Sequence, residues 1–392
     1  MVESFPTVSE TFITNKVLHL CKRGHNVTVY THRVNKSNEL SSLYKLDSLP
    51  NLTIVKPAIP QTLVQWLGLV ARKPGIFLKA GGSLAGLKSR ARNNLLKNVF
   101  SHKPFHLIHF EFSALAIVYK EVIGGLKPVT VVSCRGTAEK VKPLTIPGRK
   151  EQLKDLFHKV DSIHCVSADM AKTIAAYCDQ PSKIFINRPS IDITHFTRSV
   201  PYEASDNITI LSVGRFTFQK GYLTGLLAIK KLKQNHPNFE WLIVGDGPQV
   251  EEVIFHIQTL GLQDHVKVLG KKNKEEILEL YKSADIFLLS SVYEGIANVV
   301  LEAMAMELPV VSTKSGGIDE VIEHNIDGLL ANVYDHDSLA EQLLLLCGNY
   351  ELRKKIGTQA RLKIINHFTI NRQIDQFETV YQQLVKNKGV TV

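Results

Sequence analysis

Short apolar runs bounded by glycine-rich polar loops recur through the second half of the chain. Ile208 to Val213, Glu240 to Val244, Val266 to Leu269, Ala284 to Leu289, Val310 to Val311 and Gly328 to Ala331 have the length of buried strands. Between them Tyr222 to Asn235, Glu251 to Leu260 and Glu275 to Ser283 carry apolar positions at helical spacing. Strands alternating with helices of roughly ten to fifteen residues predict a parallel, doubly wound sheet. The first half repeats the alternation less cleanly. Its strand candidates are Asn26 to Thr31, His106 to Phe110, Val129 to Cys134 and Ser162 to Val166, and a helix is expected over Phe12 to Cys21 behind the capping sequence SETF. Residues 192–205 are polar and turn-rich and read as a linker. The tail from Thr369 to Val385 places Ile374, Phe377, Val380, Tyr381 and Leu384 on one face, which needs an apolar partner. The pattern predicts an α/β protein of two doubly wound domains, the tail crossing back onto the first.

Composition narrows the class. At 392 residues the chain exceeds one ordinary core, in keeping with two domains. Hydrophobic content of 44% and charged content of 21% are those of a globular protein. No apolar run reaches the length of about eighteen residues that a membrane-spanning helix needs, and no basic start leads into an apolar leader. The expected location is the cytoplasm. Five scattered cysteines without a CxxC pair read as buried, reduced thiols.

The net charge of +10 is concentrated. From Ser48 to Phe110 there is no Asp or Glu, while Lys56, Arg72, Lys73, Lys79, Lys88, Arg90, Arg92, Lys97 and Lys103 are interleaved with Trp66, Leu69, Phe77, Leu87 and Leu95. Two readings stand for segment 56–103: an anionic membrane surface met at its inner face, where each base contributes about 1 kcal/mol, and the solvated face of ordinary helices. No recognition-helix, zinc-finger or RNP-like pattern accompanies the charge, so nucleic acid is not an expected partner.

The stretch YEGIANVVLEAMAMELPVV, residues 293–311, carries the chemistry. Gly295 permits a tight turn and a helix starts near Ala297 or Asn298. The N–H groups of Gly295, Ile296, Ala297, Asn298 and Val299 then form an anion site reinforced by the helix dipole. Glu294 would stand on the loop side of a bound phosphate. Glu302 would lie one turn in, on the face of Asn298. Carboxylates repel phosphate, so both suit hydroxyl groups flanking it: a diphosphate with a polyol at each end, as in a nucleotide sugar. GRFTFQKG offers Arg215 and Lys220 as its cations directly after a strand.

GRFTFQKG, GDGP, EGIANVVLEAMAMELPVV and STKSGGIDEVIEHNIDGLL, in this order, resemble the retaining glycosyltransferases of family 4. The likeness spans residues 208–333. It implies the GT-B fold, two Rossmann-like domains facing a cleft: an acceptor domain over 1–198 completed by helix 369–392, and a nucleotide-sugar domain over 199–368. It also implies a donor-sugar contact for Glu294, a ribose contact for Glu302 and neutralisation of the leaving diphosphate by Arg215 and Lys220. Gly214 and Gly245 fall in the donor loops, and Gly316 and Gly317 read as turn glycines near the base or ribose. ESFPTVSETFITNKVLHLCKRGHNVTVYTH, LIHFEF, SCRGT, CVSADM and NRPSIDITHF are similar to the subgroup that builds exopolysaccharide or lipopolysaccharide. His109 in LIHFEF has two readings, a cleft residue or a core histidine. Arg135 in SCRGT is a candidate for acceptor or phosphate, and Ser9, Glu10 and Thr11 for a helix cap or an acceptor contact.

The implied reaction moves a hexose from a UDP- or GDP-sugar to a glycan or lipid-linked acceptor, with retention and without a metal or other cofactor. Neither HExxH nor a metal-carrying DxD is present. Lys, Arg and helix N–H groups take the electrostatic role at the diphosphate. In the implied mechanism the leaving phosphate oxygen accepts the acceptor's proton. Two departures stand out: the first strand is expected to be truncated at MVESFP, and Met306 and Glu307 replace a small residue and glycine. The competing readings are a nucleotide-sugar epimerase of the same fold and a non-catalytic nucleotide-sugar-binding module. A dinucleotide dehydrogenase is disfavoured, since no GxGxxG follows a first strand.

Overall fold

The computed structural model describes residues 1–7, 10–34, 46–56, 100, 105–198 and 207–390. Most of basic segment 56–103, Ser9 and part of the expected linker lie outside these residues. The chain divides into two compact units: Met1–Cys165, Ala171–Asn187 and Ile374–Val392 form the first, and Val166–Met170 with Arg188–Gln373 the second.

In the first unit, parallel strands β1 (Val2–Phe5), β2 (Val27–Val34) and β3 (Leu52–Val55) pair in that order. Strands β4 (Leu107–Phe110), β5 (Val129–Cys134), β6 (Ser162–Cys165) and β7 (Ile184–Ile186) form a second parallel set in sequence order. The Glu111 N–H donates to the Met1 carbonyl at 3.1 Å, joining the end of β4 to the start of β1. Helices α1 (Thr11–Lys22), α2 (Ser113–Ile123), α3 (Arg149–Lys159) and α4 (Ala168–Ala175) follow β1, β4, β5 and β6, α4 being counted with this unit from Ala171 onward. Every residue of β5 and β6 is buried, so neither shows the alternation of a half-exposed strand.

The first strand, β1, is four residues long and pairs with β2 from Val2↔Thr31 to Phe5↔Val34. At SETF, Ser9 lies outside the described residues, and Glu10 stands before α1 without a side-chain cap bond.

The second unit carries six parallel strands in the order β10-β9-β8-β11-β12-β13. They are β8 (Ile208–Val213), β9 (Phe239–Val244), β10 (Val266–Gly270), β11 (Ile286–Leu289), β12 (Val310–Thr313) and β13 (Leu329–Ala331). Helices α5 (Tyr222–Asn235), α6 (Val250–Thr259), α7 (Lys274–Ser283), α8 (Asn298–Ala305), α9 (His336–Cys347) and α10 (Tyr350–His367) complete it. Apolar clusters cover both faces of the sheet: Leu226, Ile229, Trp241 and Leu343 belong to one, Phe287, Val300, Leu301 and Met304 to the other. Strand order reverses between β8 and β11. In open α/β sheets ligands bind beyond the carboxyl ends of the strands at this reversal. The loops that follow it are GRFTFQKG after β8 and SSVYEG after β11.

Helix α8 ends where Glu307 takes φ 59, a left-handed conformation that glycine adopts without strain and other residues do not. The departure from glycine noted in the sequence therefore falls on a position whose backbone favours glycine. The last helix, α11 (Ile370–Lys388), is counted with the first unit from Ile374 onward. There Tyr381, Leu384 and Val385 pack on Val129 and Val131 of β5, so the amphipathic face finds its partner on that sheet. Glu378 accepts from Arg23 and His25 of the same unit.

Candidate active site

The centre of the second unit's site is Glu294, only 6% exposed at the end of the loop after β11. A buried carboxylate must be paired, and three donors meet it. Lys220 Nζ lies 2.8 Å and Ser291 Oγ 2.9 Å from Oε1, and Gln219 Nε2 lies 3.1 Å from Oε2. Lys220 and Gln219 come from the 3₁₀ turn Phe218–Lys220 after β8, whose backbone is tied to the β11 loop by the Val292 N–H donating to the Gln219 carbonyl at 2.7 Å. The reversal of strand order thus brings the two sequence motifs into one ion-paired cluster. Arg215 lies on the same β8 loop but is exposed, and its guanidinium makes no hydrogen bond among the described residues.

The expected helix start is realised. Ala297 caps α8 from an extended conformation without a side-chain cap bond, and the first turn contains no acidic residue. The first N–H groups of a helix have no intrahelical partner, so this turn can accept an anion. Asn298 and Val299 open it, Ala297 caps it, and Gly295 and Ile296 lead into it. The turn is braced from below: the Gly317 N–H donates to the Gly295 carbonyl at 3.0 Å. Gly316 has φ 67, and a Cβ there would collide with the Glu294 carbonyl oxygen. Beside the cluster, Gly245 has φ 145, and a Cβ there would collide with the Gly214 carbonyl. The two glycines thus allow the loops after β8 and β9 to approach each other closely.

Glu302 is the fifth residue of α8 and does not join the Glu294 cluster. Its Oε2 accepts from the Tyr281 hydroxyl at 2.9 Å. Burial raises its pKa above the usual carboxylate value, while the Tyr281 hydrogen bond and the Lys274 charge work against that rise. The two glutamates are therefore held by different elements, Glu294 by the β8 loop and Glu302 by α7.

His109 and Arg135 lie in the first unit. His109 is engaged at both ring nitrogens: Nε2 with Ser133 Oγ at 2.7 Å, Nδ1 with the Tyr381 hydroxyl and, at 3.4 Å, with Lys16 Nζ. Burial and then Lys16 hold its pKa well below the ordinary histidine value. Ser133 passes the chain on to His164 Nδ1 at 2.8 Å. Arg135, directly after β5, donates from Nη2 to Glu111 Oε2 at 2.7 Å and stands 4.2 Å from the centre of the Phe12 ring. Lys16 pairs with the other Glu111 oxygen. Opposite charges hold the Glu111 carboxyl well below its ordinary pKa although burial opposes them. Glu111 is thus the hub of a buried charge cluster, a role the sequence reading did not give it.

Gln219, Ser291 and Tyr281 are the other partners that sequence reasoning missed. Gln219 is adjacent to Lys220, and Ser291 is three residues before Glu294, so their place in the motifs was the available signal. Tyr281 had none. Among the described residues no group of three or more His, Cys, Asp or Glu side chains is arranged to hold a metal ion. No helix among them is long and apolar enough to cross a membrane.

Comparison with known proteins bears on the whole chain. A model of Glycosyltransferase Family 4 matches residues 9–195, and a model of Glycosyl transferases group 1 matches residues 195–363. The amylovoran biosynthesis glycosyltransferase AmsK of Erwinia amylovora is 30% identical over 404 residues, covering 97% of this chain and 98% of its own. Among solved structures, HepE of Anabaena in complex with UDP superposes with a TM-score of 0.73 at 16% identity, over 97% of this chain and 99% of that one. WaaG, a glycosyltransferase involved in lipopolysaccharide biosynthesis, gives 0.67 at 16% identity, over 96% and 99%. With two Rossmann-like units, a family model over each half and a full-length relative, the chain belongs to the GT-B-fold glycosyltransferases and is related to those of exopolysaccharide and lipopolysaccharide biosynthesis.

Proposed function

We propose that this protein is a retaining glycosyltransferase of family 4 that moves a hexose from a UDP- or GDP-sugar to a glycan or lipid-linked acceptor in cell-surface polysaccharide synthesis, without a metal. The observation that carries the reading is the Glu294–Lys220 pair, 2.8 Å apart at the strand-order reversal and next to the free N-terminal turn of α8. A diphosphate on that turn has cations from Lys220 and Arg215 and helix N–H groups on one side, which is the charge a departing nucleoside diphosphate needs. In this reading Glu294, held by three donors, meets the sugar and the positive charge that develops on its ring. Glu302, held separately on α8, takes the ribose.

The second unit is read as the donor domain and the first as the acceptor domain. Arg135 serves the acceptor side directly, and His109 indirectly through Ser133 and Tyr381. The acceptor hydroxyl attacks the anomeric carbon from the face the diphosphate leaves, and a leaving phosphate oxygen takes its proton. The names of AmsK and WaaG support the polysaccharide setting, and UDP in HepE supports the nucleotide. The reaction is placed in the cytoplasm at an anionic membrane face, a reading supported by the charge pattern of segment 56–103 alone and tested by co-sedimentation with vesicles of anionic lipid.

Incubation of the purified protein with a panel of UDP- and GDP-sugars, with mass detection of the released nucleotide, tests the reading. Release that depends on one donor and rises with an acceptor glycan is expected. Tight nucleotide binding with no release from any donor would favour a binding module instead.

A further inference from the structure

We propose that Tyr281 is a positioning residue for the nucleotide, fixing Glu302 so that one carboxylate oxygen is presented to the ribose. The proposal rests on the reading of Glu302 as the ribose contact and adds to it the group that aims it.

Tyr281 is 0% exposed. Its ring lies against Phe287 and Phe196, with centroids 5.9 and 6.2 Å away, and this packing fixes where the hydroxyl falls. The hydroxyl reaches two acceptors on α8: Glu302 Oε2 at 2.9 Å and the Val299 carbonyl at 3.3 Å. A phenol has one proton to donate, and the nearer, charged oxygen is the stronger acceptor. Glu302 Oε1 makes no hydrogen bond among the described residues. A glutamate side chain free to rotate would lose that freedom on gripping a sugar hydroxyl, at a cost to affinity. Tyr281 removes the cost beforehand by tethering Oε2. The hydroxyl also stands 3.3 Å from the Val299 carbonyl, at the first turn of α8 where the diphosphate is read to sit, so the ribose and phosphate positions lie at one helix start. Lys274 begins α7 seven residues before Tyr281, on the same helical face, and its charge acts on Glu302 as well. Helix α7 therefore offers two groups to this one carboxylate.

The test compares a ribonucleoside diphosphate (UDP or GDP, whichever the wild type binds) with its 2′-deoxy and 3′-deoxy forms. Affinities are measured by calorimetry in the wild type, Tyr281→Phe, Glu302→Gln and the double variant. The wild type should prefer the ribonucleotide over the worse deoxy form by about 10- to 100-fold, the worth of a charge-assisted hydrogen bond. Tyr281→Phe should reduce that preference several-fold and leave the deoxy affinities unchanged. Glu302→Gln should remove the preference, and adding Tyr281→Phe to it should do nothing more. An unchanged preference in Tyr281→Phe, or an equal loss for ribo and deoxy ligands, overturns the positioning role while the Glu302 reading stands. A full preference retained in Glu302→Gln overturns the reading itself. Should Tyr281→Phe fail to fold, Glu302→Asp withdraws the carboxylate from the hydroxyl and must narrow the preference in its place; a preference left whole there overturns the proposal.

Discussion

Lys220 and Glu294 form an ion pair with consequences for both stability and donor binding. Their side chains are 16% and 7% exposed, so the pair is only weakly screened by solvent. Lys220→Ala leaves the Glu294 carboxylate with Ser291 and Gln219 alone. It should lower stability by about 1.5–3 kcal/mol and weaken donor binding, and Arg215→Ala should weaken donor binding with little change in stability because its side chain is exposed. Thermal melting beside donor titration separates the two effects; a Lys220→Ala protein with unaltered melting and binding would remove the pair from the site. In the first unit, His164 offers a pH signature. Burial lowers its pKa from 6.5 to about 3, and His109 moves the same way. A folded pKa below the unfolded one means the folded state excludes the proton. The stabilisation is whole above about pH 6.5 and is lost as the pH falls toward 3. The melting temperature should fall across that window, and His164→Gln should flatten the fall. An equally steep fall in the variant would show that other groups control it.

At the scale of elements, what was legible depended on length and burial. Strands β5, β8 and β11 are apolar nearly throughout and stood out in the sequence, whereas β3 and β7, four and three residues long and only partly buried, did not separate from loops. The helix start at Asn298 was readable from glycine and the apolar run after it. The pairing of the β8 loop with Glu294, 75 residues on from Gln219, and of Tyr281 with Glu302, 21 residues on, was not. Local pattern has no access to such pairings; strand order creates them. The same holds for Lys16 and Glu111, 95 residues apart. Two predictions belong here. Gly316→Ala would press a methyl group onto the Glu294 carbonyl from a φ of 67, so the loop must shift; a loss of about 1–3 kcal/mol in stability and weaker donor binding are expected, read by melting and titration. Glu307→Gly relieves the left-handed end of α8 and should raise stability by about 0.5–1 kcal/mol without touching the nucleotide, an expectation that unchanged or lowered melting would contradict.

For the whole molecule, two Rossmann-like units were legible because doubly wound sheets repeat one apolar rhythm, and because the motif loops fall where such sheets bind ligands. The return of the last helix to the first unit was legible from its unpartnered face, and Val129 and Val131 are what it covers. What that rhythm could not show is the separation of the two glutamates into different environments. On that separation the account depends: Glu294 meets the sugar, Glu302 the nucleotide. The direct measurement is calorimetric titration of Glu294→Gln and Glu302→Gln with the nucleoside diphosphate, alongside steady-state transfer rates. Glu302→Gln should lose about 10- to 100-fold in nucleotide affinity, while Glu294→Gln should hold that affinity within about threefold and lose kcat. An equal loss of nucleotide affinity in both variants, or no loss of affinity or rate in either, would contradict it.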